Sequence, residues 1–252
     1  MILAGADADR IDIIHHLVDS PTFFGIDLSS LHITKHVWMM WIASALLIIL
    51  MNIAARQKGL VPRGFRNFVE PILLFIRDEL AVPNLRERAD HYLPYLWTVF
   101  FFILFCNLLG LIPGGATATG NLSVTAGLAV ISFFMIHFIG IKENGLLGYL
   151  GSIVPPVPWW LWPILLVVEI VGIIAKPFAL AVRLWANMTG GHIIILVLLG
   201  FIFLFKSWFI VPVSVAGSVA IYFLELFVGV LQAYVFTFLT AVFMGMAAHP
   251  EH

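Results

Sequence analysis

Two apolar stretches near the C-terminal end of the chain are longer than a lipid bilayer is thick. One runs from Ile164 to Phe205 and the other from Ile210 to about Ala247, which is 42 and 38 residues. As helices they would measure roughly 63 and 57 Å, against a hydrocarbon core of about 30 Å. Neither contains a polar turn that could fold it into two spans. We therefore predict two strongly tilted helices, each crossing once and joined near residues 206–209, whose tilt is dictated by a partner surface.

The composition is that of a multi-pass membrane protein. Apolar residues make up 62% of the chain and the mean hydropathy is +1.04, whereas soluble domains contain roughly 45 to 50% apolar residues. The net charge of −1 excludes a nucleic-acid binder, and the single Cys106 excludes a disulfide framework within one chain. The predicted fold class is an all-α integral membrane protein with five membrane-crossing helices and one amphipathic surface helix.

The chain divides into seven segments by its apolar runs and turn signals. They are an extramembrane N-terminal segment (1–36), a first span (37–55), a cytoplasmic connection (56–91), second and third spans (92–141), a Pro/Trp-rich interfacial loop (142–163), the tilted helical hairpin (164–247) and a C-terminal tail (248–252). Within the connection, apolar residues recur at helical spacing from Phe65 to Ile76, which indicates an amphipathic helix on the membrane surface or on a soluble partner.

Basic residues are concentrated in one connection and set the orientation. Seven of the 13 Lys and Arg residues lie between Arg56 and Arg88. By the positive-inside rule this connection is cytoplasmic. The N-terminus is then outside, and after five crossings the C-terminus is inside.

Three charged residues share one face of the first long helix. Glu169, Lys176 and Arg183 are spaced seven apart, which returns to nearly the same side of a helix. A charge at mid-bilayer costs roughly 2.5 to 3.5 kcal/mol on insertion scales, so such residues usually face a partner or a wet cavity. Lys176 could instead reach an interface, with Glu169 paired to it. Arg183 lies deepest and stays protonated, and it is therefore the strongest functional candidate.

Further polar residues follow on both long helices. Glu225 and Gln232 are again seven apart, and His192 lies nine residues after Arg183, on the opposite side of a regular helix unless Gly190-Gly191 bends it. Since His192 precedes the 206–209 turn by 14 residues and Glu225 follows it by 16, the two should reach a similar depth and form a proton-relay pair.

The alternative for His192 is a hydrogen-bonded core histidine. Asn107 and His137 are interpreted in that way, as packed or interhelical hydrogen-bonding residues.

The sequence KPFALAVRLWANMTGGH, with Lys176, Arg183 and Asn187, and the later LQAYVFTFLT around Gln232 closely resemble subunit a of the F-type ATP synthase. The resemblance implies that the last two helices form a tilted hairpin against a ring of c subunits. It implies that Arg183 is the essential arginine, with Asn187 and Gln232 beside it. Glu169 would line the cytoplasmic half-channel, and His192 and Glu225 the opposite one. Together with Lys176, these residues form the predicted proton-translocation set.

The resemblance also implies the partners: the c-subunit ring, peripheral-stalk b-type subunits, the remaining ATP synthase subunits and the lipid bilayer. Catalytic residues, cofactors and metals are not expected, because the ATP-forming site lies on other subunits. Many bacterial relatives carry the acid and the histidine in the reverse order. The order in this chain is similar to the mitochondrial and alphaproteobacterial branch, which implies a bacterial inner membrane or its mitochondrial equivalent.

Two other function classes remain alternatives on the sequence alone. A stand-alone proton-linked transporter would need a substrate cavity between paired repeats, but the second half of the sequence does not repeat the first. A haem electron carrier could use His137 and His192 as axial ligands, and its visible absorption would reveal it.

Overall fold

The computed structural model of the chain describes residues 22–23, 26–27, 35–56, 64–112, 117–153 and 161–249. Most of the predicted N-terminal segment (1–36), the start of the predicted connection, the Pro/Trp-rich stretch 154–160 and the tail residues 250–252 lie outside the described residues.

The described chain is helical except for one short pair of strands. Strands β1 (Thr22–Phe23) and β2 (Ile26–Asp27) are antiparallel, with Thr22 opposite Asp27. The α-helices are α1 (Lys35–Arg56), α2 (Phe65–Phe75), α3 (Val82–Leu85), α4 (Ala89–Gly110), α5 (Leu122–Ile153), α6 (Trp162–Phe205) and α7 (Ile210–Ala248). A π-helical segment, Ile76–Ala81, joins α2 to α3, and 3-10 turns lie at Arg86–Arg88 and Ala118–Gly120.

Helical stretches long and apolar enough to cross a membrane number five among the described residues. They are Lys35–Arg56, Phe65–Gly110, Leu122–Gly151, Ile164–Phe205 and Ile210–Ala248. The predicted all-α class, with five helices able to cross a membrane, is confirmed at this level. The tilt of the last two helices and the position of α2 relative to a membrane stay predictions.

Helix α2 begins after Gly64, which has a positive φ of 59°. Its apolar residues divide between the interior and the surface, since Val69 is buried whereas Phe68 is 68% exposed. The π-helical segment that follows shifts the hydrogen-bond register, and just before it the carbonyl of Leu73 accepts a bond from Trp97 Nε1 at 3.1 Å. The indole thereby ties α2 to α4.

Helix α5 differs from the sequence prediction at its C-terminal end. The predicted span stopped at residue 141 because Lys142 and Glu143 follow, and the predicted loop began at 142. The structure continues helically to Ile153 but is interrupted at Gly145, whose φ of 72° and ψ of 163° are not helical. After this break the ring of Tyr149 occupies the space that a side chain on Gly140 would need. The hydropathy of the sequence therefore located the first charged residues after the span, but not the end of the helix.

The chain forms two compact units. The first unit comprises residues 1–47, 102–124 and 184–232, and the second unit comprises residues 48–101, 125–183 and 233–252. The division falls between Arg183 and Leu184 in α6, and between Gln232 and Ala233 in α7.

In the first unit, α6 and α7 pack side by side. Met188 lies against Gly229, His192 against Glu225, and Leu198 against Gly217. Because residue numbers rise along α6 as they fall along α7, the two helices are antiparallel here. A small apolar core is formed nearby in the same unit by Met39, Ala43, Cys106 and Ala118.

In the second unit, polar contacts join α4, α5 and the end of α7. Tyr95 donates its hydroxyl hydrogen to Ser132 Oγ at 2.9 Å, and Asn144 Nδ2 donates to Ala247 O at 2.9 Å. Glu143 forms an ion pair with Arg88 and accepts a bond from the Tyr92 hydroxyl at 2.8 Å. Interhelical bonds of this kind fix helices against one another where water is scarce.

Candidate functional site

Glu225 is a buried carboxylate on α7. Its residue is only 4% exposed, although a charged group is costly to bury without a partner. The partner is His192 on α6, whose Nδ1 forms an ion-pair contact with Glu225 Oε1. Neither carboxylate oxygen has a hydrogen-bond partner among the described residues, so the contact is one of charge and proximity.

The imidazole of His192 is surrounded by oxygen atoms of the first unit. Nδ1 lies 3.1 Å from Met188 O, one helical turn earlier. Nε2 lies 3.1 Å from Thr117 Oγ1 and 3.3 Å from Gly110 O. Each ring nitrogen therefore has an acceptor within reach, and either can carry the proton. This arrangement suits a group that takes a proton on one side and releases it on the other.

Two glycines make room for the site. A Cβ at Gly191 would lie 2.7 Å from Glu225 Cδ, closer than side-chain carbons approach. A Cβ at Gly110 would fall on Thr117, 2.6 Å from its Cα. The carboxylate and the threonine can approach the imidazole only because these two positions lack side chains.

An amide pair lies further along the same two helices. Asn187 Nδ2 donates to Gln232 Oε1 at 2.9 Å, and Gln232 is 1% exposed. The other amide atom, Gln232 Nε2, is buried and has no hydrogen-bond partner among the described residues. Gln232 thus offers a buried donor on the α7 face that carries Glu225.

Asn107 links three segments of the first unit. It is fully buried, donates from Nδ2 to Gly229 O at 2.8 Å, and accepts at Oδ1 from the Thr119 hydroxyl at 2.7 Å. This bears out its interpretation as an interhelical hydrogen-bonding residue. Tyr222 adds a bond from its hydroxyl to Leu111 O at 3.0 Å. These bonds hold α7 against the end of α4.

The remaining predicted residues belong to the second unit. Arg183 is exposed, and no carboxylate among the described residues pairs with it. Lys176 Nζ lies 5.2 Å from the centre of the Phe243 ring, a cation–π contact. Glu169 is half-buried and makes no ion pair with Lys176. The structure brings together His192 with Glu225 and Asn187 with Gln232, and it does not bring Glu169 together with Lys176.

Sequence reasoning missed several atoms of the site. Thr117, Tyr222 and the carbonyls of Gly110 and Met188 contact the predicted residues or the segments that hold them. Backbone carbonyls carry no sequence signal, and Thr117 stands in an uncharged loop without periodicity. Within the part of the chain that the structure describes, no three His, Cys, Asp or Glu side chains cluster as metal ligands.

Comparison with known proteins adds a family relationship. The family described as ATP synthase A chain matches residues 37–245. ATP synthase subunit a of Chloroherpeton thalassium is 44% identical over 267 aligned positions, which cover 98% of this chain and 79% of the relative. ATP synthase subunit a of Anaeromyxobacter sp. is 48% identical, covering 93% of this chain and 59% of the relative. ATP synthase subunit a 2 of Chlorobium luteolum is 48% identical, covering 94% and 70%.

These three relatives are bacterial, and none is alphaproteobacterial or mitochondrial. They give no support to the predicted mitochondrial and alphaproteobacterial branch.

Proposed function

Because this chain belongs to the ATP synthase subunit a family, we propose that it provides two proton half-channels to a rotating ring of c subunits, with Arg183 between them. As a member of the family it is the proton-channel stator subunit of the membrane sector of F-type ATP synthase, where it assembles with the other subunits. The observation that carries the proposal is the buried contact of His192 with Glu225.

One half-channel contains the His192 site. An imidazole and a carboxylate in contact can pass a proton between them. Neither oxygen of Glu225 has a hydrogen-bond partner among the described residues, which leaves lone pairs for an incoming proton. The surrounding Thr117 hydroxyl and Gly110 carbonyl hold the ring in place. In this proposal a proton passes through the pair and neutralises a carboxylate of a c subunit.

Arg183 lies on a helix whose apolar surface is largely uncovered. Most of its apolar side chains are exposed, among them Ile174 at 62% and Phe178 at 67%. An apolar surface of this extent indicates lipid or a partner. We assign part of this exposed surface of α6 to the c ring, because a carboxylate of a c subunit could then pair with Arg183.

The charge of Arg183 would act in two ways. A nearby guanidinium favours the ionised form of a passing carboxylate, and so promotes release of its proton into the second half-channel. Since the guanidinium cannot lose its own proton, it also blocks direct proton flow between the half-channels. Each proton that leaked across 100 mV would dissipate roughly 2.3 kcal/mol.

The other residues of the set are assigned by position. Asn187, one turn beyond Arg183 on α6, and its partner Gln232 would lie beside the arginine. Glu169 would line the cytoplasmic half-channel. Lys176 belongs to the same proton-translocation set, and its contact with Phe243 directs the ammonium toward α7 within the second unit.

The finer placement of the subunit follows from the same proposal. The bacterial relatives support a bacterial inner membrane. The excess of basic residues between Arg56 and Arg88 supports an N-terminus outside and a C-terminus in the cytoplasm. Peripheral-stalk b-type subunits would bind as further partners, and the tilted hairpin of α6 and α7 would face the ring. A branch like that of mitochondria and alphaproteobacteria is supported only by the order of His192 and Glu225 in the sequence.

The test of the proposal is Arg183→Ala. We expect proton-driven ATP synthesis to be abolished in vesicles while the complex still assembles, because alanine removes the fixed positive charge between the two half-channels. Arg183→Lys should also be severely impaired, since a desolvated lysine can lose its proton.

The matched control is Lys206→Ala, which removes an exposed cation from the turn after α6. Its synthesis rate should stay near wild type. Near wild-type synthesis by assembled Arg183→Ala complexes would refute the role of the arginine.

A further inference from the structure

A second histidine is connected to the His192 site. His36 is the second residue of α1 and is only 6% exposed. Its Nδ1 lies 3.1 Å from the backbone oxygen of Thr117, a residue 81 positions later. A carbonyl oxygen can only accept, so His36 Nδ1 carries the hydrogen and donates it.

Thr117 connects the two histidines. Its backbone oxygen accepts from His36 and also from Gly120 N at 2.9 Å, while its Oγ1 lies 3.1 Å from His192 Nε2. The residue has an extended backbone just before the 3-10 turn Ala118–Gly120. Two bonds to one carbonyl fix the backbone of Thr117, and the backbone fixes where the hydroxyl points.

This connection is not a path for protons. The carbonyl oxygen between His36 and the Thr117 hydroxyl has no hydrogen to pass on. Any effect of His36 on His192 through Thr117 is therefore one of geometry. Proton transfer depends steeply on such geometry, because the groups must stay within hydrogen-bond distance.

We propose that His36 is a positioning residue for proton transfer at His192: its bond to the Thr117 carbonyl holds the Thr117 hydroxyl on Nε2 of the imidazole. This inference rests on the proposed function of the His192–Glu225 pair. It assigns a role in the access half-channel to the start of the first helix, in the segment predicted from sequence to lie outside the membrane.

The experiment uses the assembled ATP synthase in vesicles, with ATP-driven proton pumping measured at matched amounts of complex. His36→Ala removes the donor to Thr117, and we expect pumping to slow roughly two- to tenfold, the effect of losing one ordinary hydrogen bond. His36→Asn keeps an N–H donor on a short side chain, and it should pump clearly faster than His36→Ala, at close to the wild-type rate. A proton carrier could not be replaced by asparagine, whereas a positioning residue can.

A double-mutant cycle tests whether His36 acts through Thr117. Thr117→Val removes the hydroxyl at nearly constant shape and should slow pumping by about the same factor as His36→Ala. Thr117→Ser keeps the hydroxyl and should retain the wild-type rate. Adding His36→Ala to Thr117→Val should then cost little more, because the contact being positioned is already gone.

His137→Ala is the matched control. His137 is also partly buried and its Nδ1 also bonds a backbone oxygen, that of Phe133 at 2.8 Å, but its ring lies in the second unit against Phe133 and Tyr149. Its pumping rate should stay near wild type.

The results separate this inference from the function on which it rests. If His192→Ala and Glu225→Ala pump normally, the proposed access site itself is wrong. If these two are slow but His36→Ala is normal, or His36→Asn is as slow as His36→Ala, or the effects of His36→Ala and Thr117→Val simply multiply, the positioning role of His36 is overturned.

Discussion

At the scale of single residues, the His192 site is built as much from missing side chains as from present ones. Gly191 leaves the volume that the Glu225 carboxylate fills, and Gly110 leaves the volume that Thr117 fills. Oxygen atoms then face both nitrogens of the imidazole. The buried carboxylate of Glu225 is in contact with a ring that can exchange a proton with it, and the two residues should therefore act as a pair.

The pair predicts the outcome of an exchange. His192→Ala and Glu225→Ala should each slow ATP-driven proton pumping, because each removes one of the two proton-accepting groups. The double variant His192→Glu with Glu225→His should recover a good part of the rate, since it keeps one imidazole and one carboxylate at the same two positions. Recovery should be incomplete, because the space beside Gly191 is shaped for a carboxylate.

The rate would be measured in vesicles containing equal amounts of assembled complex. If the exchanged variant pumps no faster than the slower alanine variant, the two residues do not form an exchangeable pair.

The contact between these two residues could be predicted from the sequence, whereas its surroundings could not. Arms of 14 and 16 residues on either side of the turn bring His192 and Glu225 to a similar depth in any antiparallel hairpin. Thr117 and His36 reach the same site from distant parts of the chain, 75 and 156 positions from His192, and neither lies in a periodic pattern. Their bonds involve a loop hydroxyl and a backbone carbonyl, which hydropathy does not detect.

At the scale of helices, hydropathy likewise predicts some ends of the elements and misses others. The turn between α6 and α7 falls near residues 206–209, where the sequence predicts it, because polar residues interrupt the apolar run there. The C-terminal end of α5 does not fall where it is predicted, because the break at Gly145 is set by backbone conformation. The φ of 72° and ψ of 163° at this residue belong to a region that only glycine occupies readily.

Gly145→Ala should therefore destabilise the protein by roughly 1 to 3 kcal/mol, the usual cost of holding another residue in such a region. Gly151→Ala is the control, because a Cβ at Gly151 meets nothing within 4 Å and its φ is not positive. The measurement is the temperature at which the purified complex releases or aggregates this subunit. Equal temperatures for the two variants would show that the backbone at Gly145 relaxes without cost.

At the scale of the whole molecule, the distribution of charges along the chain predicts the orientation in the membrane. The net charge is only −1, but seven basic residues lie in one connection. With five crossing helices the two ends of the chain should face opposite sides of the membrane.

Cysteine labelling with a reagent that cannot cross the membrane tests this orientation. In intact spheroplasts, we expect Ser20→Cys and Gly115→Cys to react, and Lys58→Cys and Glu251→Cys to react only after the membrane is permeabilised. The native Cys106 is buried and should stay unreacted as an internal control. Reaction of Glu251→Cys from outside would contradict the orientation.

The exposed Arg183 of α6 also has a consequence for biogenesis. An arginine near the bilayer centre costs roughly 2.5 to 3.5 kcal/mol on insertion scales, which corresponds to a factor of roughly 70 to 370 in the equilibrium between inserted and uninserted helix. In the proposed assembly, a newly made chain would meet this penalty until a carboxylate from another subunit neutralised Arg183. Helix α6 should accordingly be the last segment to settle in the membrane, and orphan copies should be the form that membrane proteases remove.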